Sequence, residues 1–223
     1  MNIEKLIRER HSVRSYLSKE IEQDKLEVLN KLIDDINKEY DLNIQLITGD
    51  KNIFDKLILH YGRIKNCDNY IALVGKESKN LDIKLGYNGE KIVLKAQELG
   101  LNTCWVAGTY KKSNVTANIN DDEKLVCVIA IGYGETSGNP RKSKSIKDVS
   151  ISSEYPEWYA KGIEYALLAP TAMNQQKFKF EYLEEDNVLL TTSKGINEKV
   201  DLGIVKYHFE LGANKKVNIQ IKD

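Results

Sequence analysis

Residues 94–108 read Leu94-Lys95-Ala96-Gln97-Glu98-Leu99-Gly100-Leu101-Asn102-Thr103-Cys104-Trp105-Val106-Ala107-Gly108. A helix-forming run ends at Gly100, a residue suited to the left-handed cap, and an apolar strand begins directly after it. The same alternation extends upstream. Residues 88–99 complete the helix, 70–74 form a short buried strand closed by Gly75, and 53–64 have helical spacing. Before them, 43–47 read as a strand. In 24–40, Leu26, Leu29, Ile33, Ile36 and Tyr40 recur every three or four residues and mark one stripe of an amphipathic helix. Downstream, 126–131 form the most apolar strand.

Texture changes after that strand. All three prolines (Pro140, Pro156 and Pro170) lie there, and Ser and Lys dominate 141–153, a surface loop by composition. Residues 157–169 suit a helix, 177–182 and 188–192 pair as a hairpin, 201–211 suit a helix, and Val217, Ile219 and Ile221 alternate in a last strand. The sum is an α+β fold, a mixed or antiparallel sheet flanked by helices. A shift of 112 residues superimposes Ile92, Val93, Glu98, Leu99 and Gly100 on Ile204, Val205, Glu210, Leu211 and Gly212, an echo that suits two half-units about a pseudo-twofold axis. The expectation is a single domain over 1–223, with half-units 1–140 and 154–223 joined by the basic loop 141–153.

The chain of 223 residues is 41% hydrophobic and 30% charged, with 33 Lys and Arg against 33 Asp and Glu. That composition allows a substantial core, argues against disorder and lacks the basic surplus of a nucleic-acid binder. The longest uncharged runs, 99–110 and 165–176, are each 12 residues, short of the roughly 20 that span a bilayer. Charged Glu4, Lys5, Arg8, Glu9 and Arg10 occupy the place of a signal peptide's apolar stretch, so a cytoplasmic location is expected. Cys67, Cys104 and Cys127 are odd in number and far apart, which reads as reduced thiols. His11, His60 and His208 are scattered, and no metal site is expected.

Three segments could carry chemistry. In Arg10-His11-Ser12-Val13-Arg14-Ser15-Tyr16, two guanidinium forks flank a hydroxyl and an imidazole, a donor set suited to a phosphate monoester. The structural alternative is a basic helix C-terminus. In Ala169-Pro170-Thr171-Ala172-Met173-Asn174-Gln175-Gln176, three amides in an uncharged window could read the edge of a flat heterocycle, or the proline could simply end a helix. The third is the 94–108 turn itself. Gly132-Tyr133-Gly134-Glu135-Thr136-Ser137-Gly138 is not a dinucleotide-binding turn, because its third glycine is late and Asn139-Pro140 precedes no amphipathic helix.

Together these segments resemble the nitroreductase superfamily of FMN-dependent oxidoreductases. Arg10, His11, Ser12, Arg14 and Tyr16 match its R-[RH]-S-x-[RK]-x-[FY] motif, 94–108 match L-x-A-x-x-L-G-L-x-x-x-W-x-x-G, and 169–176 match A-P-S-A-x-N-x-Q with Thr171 for Ser. The last motif usually follows the first by about one helix and here lies near the C-terminus, as in a rearranged subgroup of the family. The resemblance implies FMN as cofactor. Arg10, Ser12 and Arg14, with Arg141, Lys142 or Lys144, would hold its phosphate and ribityl chain beside His11. Pro170, Thr171, Ala172 and Asn174 would edge the ring, and Val106, Ala107 and Gly108 would pass close to N5. It also implies NADH or NADPH as donor, a small electron-poor acceptor such as a nitroaromatic or quinone, and ping-pong hydride transfer on the flavin, with no separate catalytic side chain. The chain would be a monomeric pseudo-dimer or a homodimer. The alternative is a flavin-binding or sensing module without turnover.

Overall fold

The computed structural model describes residues 2–54, 63–215 and 217–222. The helix expected over 53–64, with His60, falls largely outside them. The chain divides into two compact units, one of 9–81 and 92–140, the other of 1–8, 82–91 and 141–223.

The first unit contains helix α2 (Gln23–Tyr40) and strands β1 (Gln45–Ile47), β2 (Tyr70–Lys76), β3 (Asn102–Val106) and β4 (Glu123–Gly132), in the sheet order β1-β2-β4-β3. All neighbours are antiparallel, and β4 bulges once opposite Leu73 and Val74. From Tyr70 to Gly75 every residue of β2 is buried, so both faces of this central strand are covered. Tyr70, Ala72 and Val74 share a face with Cys104, Val106, Val128 and Ala130 in one apolar cluster with Val13 and Tyr16. Helix α2 buries Leu29, Ile33 and Ile36 of its expected stripe. The expected strand end at Gly75 gives way to a strand that runs on. A Cβ there would meet Leu81 Cδ1 at 2.7 Å, so its glycine serves close packing and not a turn.

The second unit contains α1 (Ile3–Glu9) up to Arg8, α4 (Ile146–Val149), α5 (Glu157–Ala166), β5 (Phe178–Tyr182), β6 (Asn187–Thr192), α6 (Glu198–Ala213) and β7 (Asn218–Lys222). Strand β6 pairs antiparallel with β5, as the hairpin reading expects, and parallel with β7, which it reaches through α6. Phe180 stacks on Phe209 with ring centroids 4.7 Å apart, and Tyr159 packs against Phe209 at 5.8 Å. His208 and Glu90 are wholly buried with Nε2 and Oε1 2.8 Å apart.

Helix α3 (Leu81–Glu98) contributes 82–91 to the second unit and its remainder to the first. It starts seven residues before the expected boundary at 88. A Cβ on Gly86 would sit 2.1 Å from Val200 O, and one on Gly203 would sit 2.1 Å from Ile83 O. These glycines let α3 and α6 approach backbone to backbone. Gly212, expected at a helix end, lies within α6, where a Cβ would be 2.5 Å from Lys161 O of α5. Gly100 does take the left-handed conformation, φ 76°. The 141–153 loop carries α4, begun by a capping box between Ser145 and Asp148. The α+β class with flanking helices therefore holds, built as one antiparallel and one mixed sheet.

Candidate functional site

Helix α1 stops at Glu9, and the Arg-His-Ser-x-Arg segment after it is extended and not a basic helix end. Ser12 bridges Thr103 of β3 in parallel, Tyr16 bridges Gly134 antiparallel and Ser15 bridges Lys65. The Val13 N–H donates to Thr103 O at 3.0 Å. Val13 enters the core, and Arg10, Ser12 and Arg14 all act on the buried Cys104 thiol of β3. Arg10 is 1% exposed, an unusual environment for a guanidinium, whereas Arg14 reaches solvent. The Ser12 hydroxyl hydrogen-bonds the Cys104 sulfur, and burial pushes the thiol up against the opposing pull of the Arg14 and Arg10 charges.

The turn after β4 backs this segment. A Cβ on Gly138, φ 80°, would lie 2.7 Å from His11 Cβ, and one on Gly134 would lie 2.8 Å from Val13 Cγ1. Only glycine allows the turn so close. No helix follows β4 before Ile146, which agrees with the rejection of a dinucleotide turn. The parallel register brings Arg14 level with Trp105, toward the end of β3. There Val106 is buried, Ala107 half-buried and Gly108 exposed, with nothing within 4 Å of where its Cβ would be. One unit thus holds Arg10, His11, Ser12 and Arg14 along β3 together with the open backbone of 107–108. The donor set of two guanidiniums and a hydroxyl fits a phosphate ester.

The other expected residues belong to the second unit. Its 170–176 loop contains a 3-10 turn, Ala172–Asn174, and three left-handed non-glycine residues, Met173, Asn174 and Gln176, at φ 52°, 53° and 45°. Such backbone costs about 1 kcal/mol or more per residue and persists where surrounding bonds fix it. Asn174 Nδ2 donates to Lys142 O at 2.8 Å, and Gln176 Nε2 donates to Lys142 O at 2.9 Å and Asn174 Oδ1 at 3.1 Å. Lys144 N–H donates to Gln176 Oε1 at 2.9 Å, and its ammonium to Gln176 O at 2.7 Å. The Arg141 guanidinium donates to Leu168 O. Gln176 N–H donates to Thr171 Oγ1 at 3.1 Å. Asn174 and Gln176 thus join their own loop to 141–144, while Gln175 Nε2 donates to Ile196 O at 2.8 Å.

Sequence reading missed Asp201 on α6. Its carboxylate accepts from Ala172 N–H at 2.9 Å and from Gln175 Nε2 at 2.8 Å. The available signal was a lone carboxylate in Val200-Asp201-Leu202-Gly203-Ile204-Val205, otherwise apolar and buried. Cys67, Cys104 and Cys127 are buried thiols. Among the described residues, no group of three or more His, Cys, Asp or Glu could hold a metal ion, and no helix is long and apolar enough to cross a membrane.

The family described as "Putative TM nitroreductase" matches residues 2–213, and the chain belongs to it. That membership makes it an oxidoreductase of the nitroreductase fold. A structure from Thermotoga maritima MSB8, described as a "putative nitroreductase", is 26% identical with a TM-score of 0.63, covering 95% of this chain and 83% of that one. One from Bacteroides thetaiotaomicron VPI-5482, described as "Putative NADH dehydrogenase/NAD(P)H nitroreductase", is 20% identical with a TM-score of 0.53, covering 69% and 98%. One from Clostridium acetobutylicum, described as "Putative NADH Oxidase", is 23% identical with a TM-score of 0.52, covering 67% and 99%. These last two share the fold. No curated protein matches the chain.

Proposed function

We propose that this protein is an FMN-dependent NAD(P)H oxidoreductase acting on electron-poor acceptors such as nitroaromatics and quinones. The observation that supports this most is the parallel register of Ser12 on Thr103, which aligns the segment of Arg10, Ser12 and Arg14 with a strand ending in the open backbone of 107–108. Arg10, buried and fixed in place, and Arg14, at the surface, would neutralise the cofactor phosphate, with the Ser12 hydroxyl as a neutral donor. Ala107 and Gly108 would offer backbone N–H groups at the redox-active edge of the ring, where a donor stabilises negative charge. Bound FMN supplies the two-electron chemistry, and the protein binds and orients it.

Purified protein should carry flavin absorbance, and anaerobic NADH or NADPH should bleach it. A colourless preparation that takes up no added FMN would defeat the proposal. The engagement of the Asn174 and Gln176 amides within their own loop favours one second reading, a flavin-binding module without turnover. Retained flavin that no reduced nicotinamide bleaches would select it.

A further inference from the structure

Asp201 stands in the first turn of α6 and is 8% exposed. Its two oxygens lie 2.9 and 3.1 Å from Ala172 N, and Oδ2 lies 2.8 Å from Gln175 Nε2. Gln175 Nε2 also donates to Ile196 O at 2.8 Å, in the connection that leads into α6. These contacts bracket Met173 and Asn174, which adopt left-handed backbone in succession, and Met173 is 61% exposed. A tip in that conformation needs an anchor on each side, and Asp201 grips both.

We propose that Asp201 is the positioning residue of the 170–176 loop: its carboxylate fixes the Ala172 backbone and the Gln175 side chain, and so sets how the Met173–Asn174 tip is presented. The grip stands on contacts within one unit. Burial pushes the Asp201 carboxyl up to about 7, the bonds from Gln175 and Ala172 pull it down, and the Glu198 charge on the same helix raises it. The groups that the loop sets against the carboxylate, one N–H and one amide, are neutral. The grip therefore changes character near neutrality, from a charge-assisted to a neutral acceptor.

NMR of the full chain from about pH 5.5 to about 8.5 tests this. The Ala172 N–H and Gln175 side-chain amide signals should titrate together, with a midpoint near 7 in the wild type, and stay flat in Asp201→Asn. Ala172 amide exchange should accelerate at least about tenfold in Asp201→Ala, with α5 protection unchanged, and Asp201→Asn, which keeps one acceptor, should restore most of it. Wild-type signals that ignore pH, or unchanged exchange in Asp201→Ala, would overturn the proposal. Should Asp201→Ala fail to fold, the Asp201→Asn titration decides. FMN titration separates the two readings: no binding by wild type defeats the functional reading while the NMR result still judges the grip.

Discussion

Arg14 offers the cleanest single-residue test of phosphate recognition, because it is exposed and its removal leaves the core intact, whereas Arg10 is buried. A hydrogen bond to a charged group contributes about 1.5–3 kcal/mol, so Arg14→Ala should weaken FMN binding by about tenfold to a hundredfold, measured by fluorescence quenching. Unaltered affinity would remove Arg14 from the site. Individual residues were legible in sequence where their reason is local. Gly100 is the example, since a helix end needs a left-handed residue whatever surrounds it. Gly212 was placed at a helix end because its reason, the close approach to Lys161 O of α5, leaves no mark in the local sequence. The bonds that Asn174 and Gln176 make to Lys142 were not legible either, since composition shows donors and acceptors but not which backbone they meet.

Between elements, α6 is constrained on two sides, with α3 against Gly203 and α5 against Gly212. Gly203→Ala should cost about 3 kcal/mol, the upper part of the range for overpacking, because the nearest atoms are Ile83 O and Tyr87 N and backbone cannot swing aside. Urea denaturation would show this, and a loss below about 0.5 kcal/mol would mean the helices can separate freely. On the strand side of α6, Phe209→Ala should cost about 3–5 kcal/mol by emptying the stack with Phe180. Helix and strand identities were largely legible from periodicity, as α2 and the β5–β6 hairpin show. The start of α3 was not, since the helix begins at Leu81, seven residues before the expected boundary at 88. The extended course of 10–16 was equally hidden, since its pairing partner at Thr103 lies some ninety residues away.

At the scale of the whole molecule, Asp201 should shape stability against pH. Its carboxyl rises from 3.8 to about 7 on folding, so the folded state holds the proton longer than the unfolded chain does. The stability this provides is complete below about pH 4 and is lost as pH rises through about 7, on the order of 4 kcal/mol in all. Urea midpoints for wild type and Asp201→Asn should therefore diverge across that window, with wild type losing more as pH rises. Parallel curves would mean the group titrates normally. The balanced charge and apolar content made a folded chain with a substantial core legible from composition. The division into interleaved units was not, because contact between 82–91 and 141–223 leaves no mark in either segment alone.

That interleaving bears on how the protein is made. A ribosome delivers residues 1–8 and 82–91 well before the 141–223 segment that completes their unit, and elongation proceeds at about 5–20 residues per second. The first half of α3 must wait for several seconds with the backbone notch at Gly86 uncovered. Nascent chains stalled just after residue 140 should therefore engage holdase chaperones more than released full-length chains do, and a break placed at 140/141 should yield two pieces that recover the native fold only when produced in the same cell.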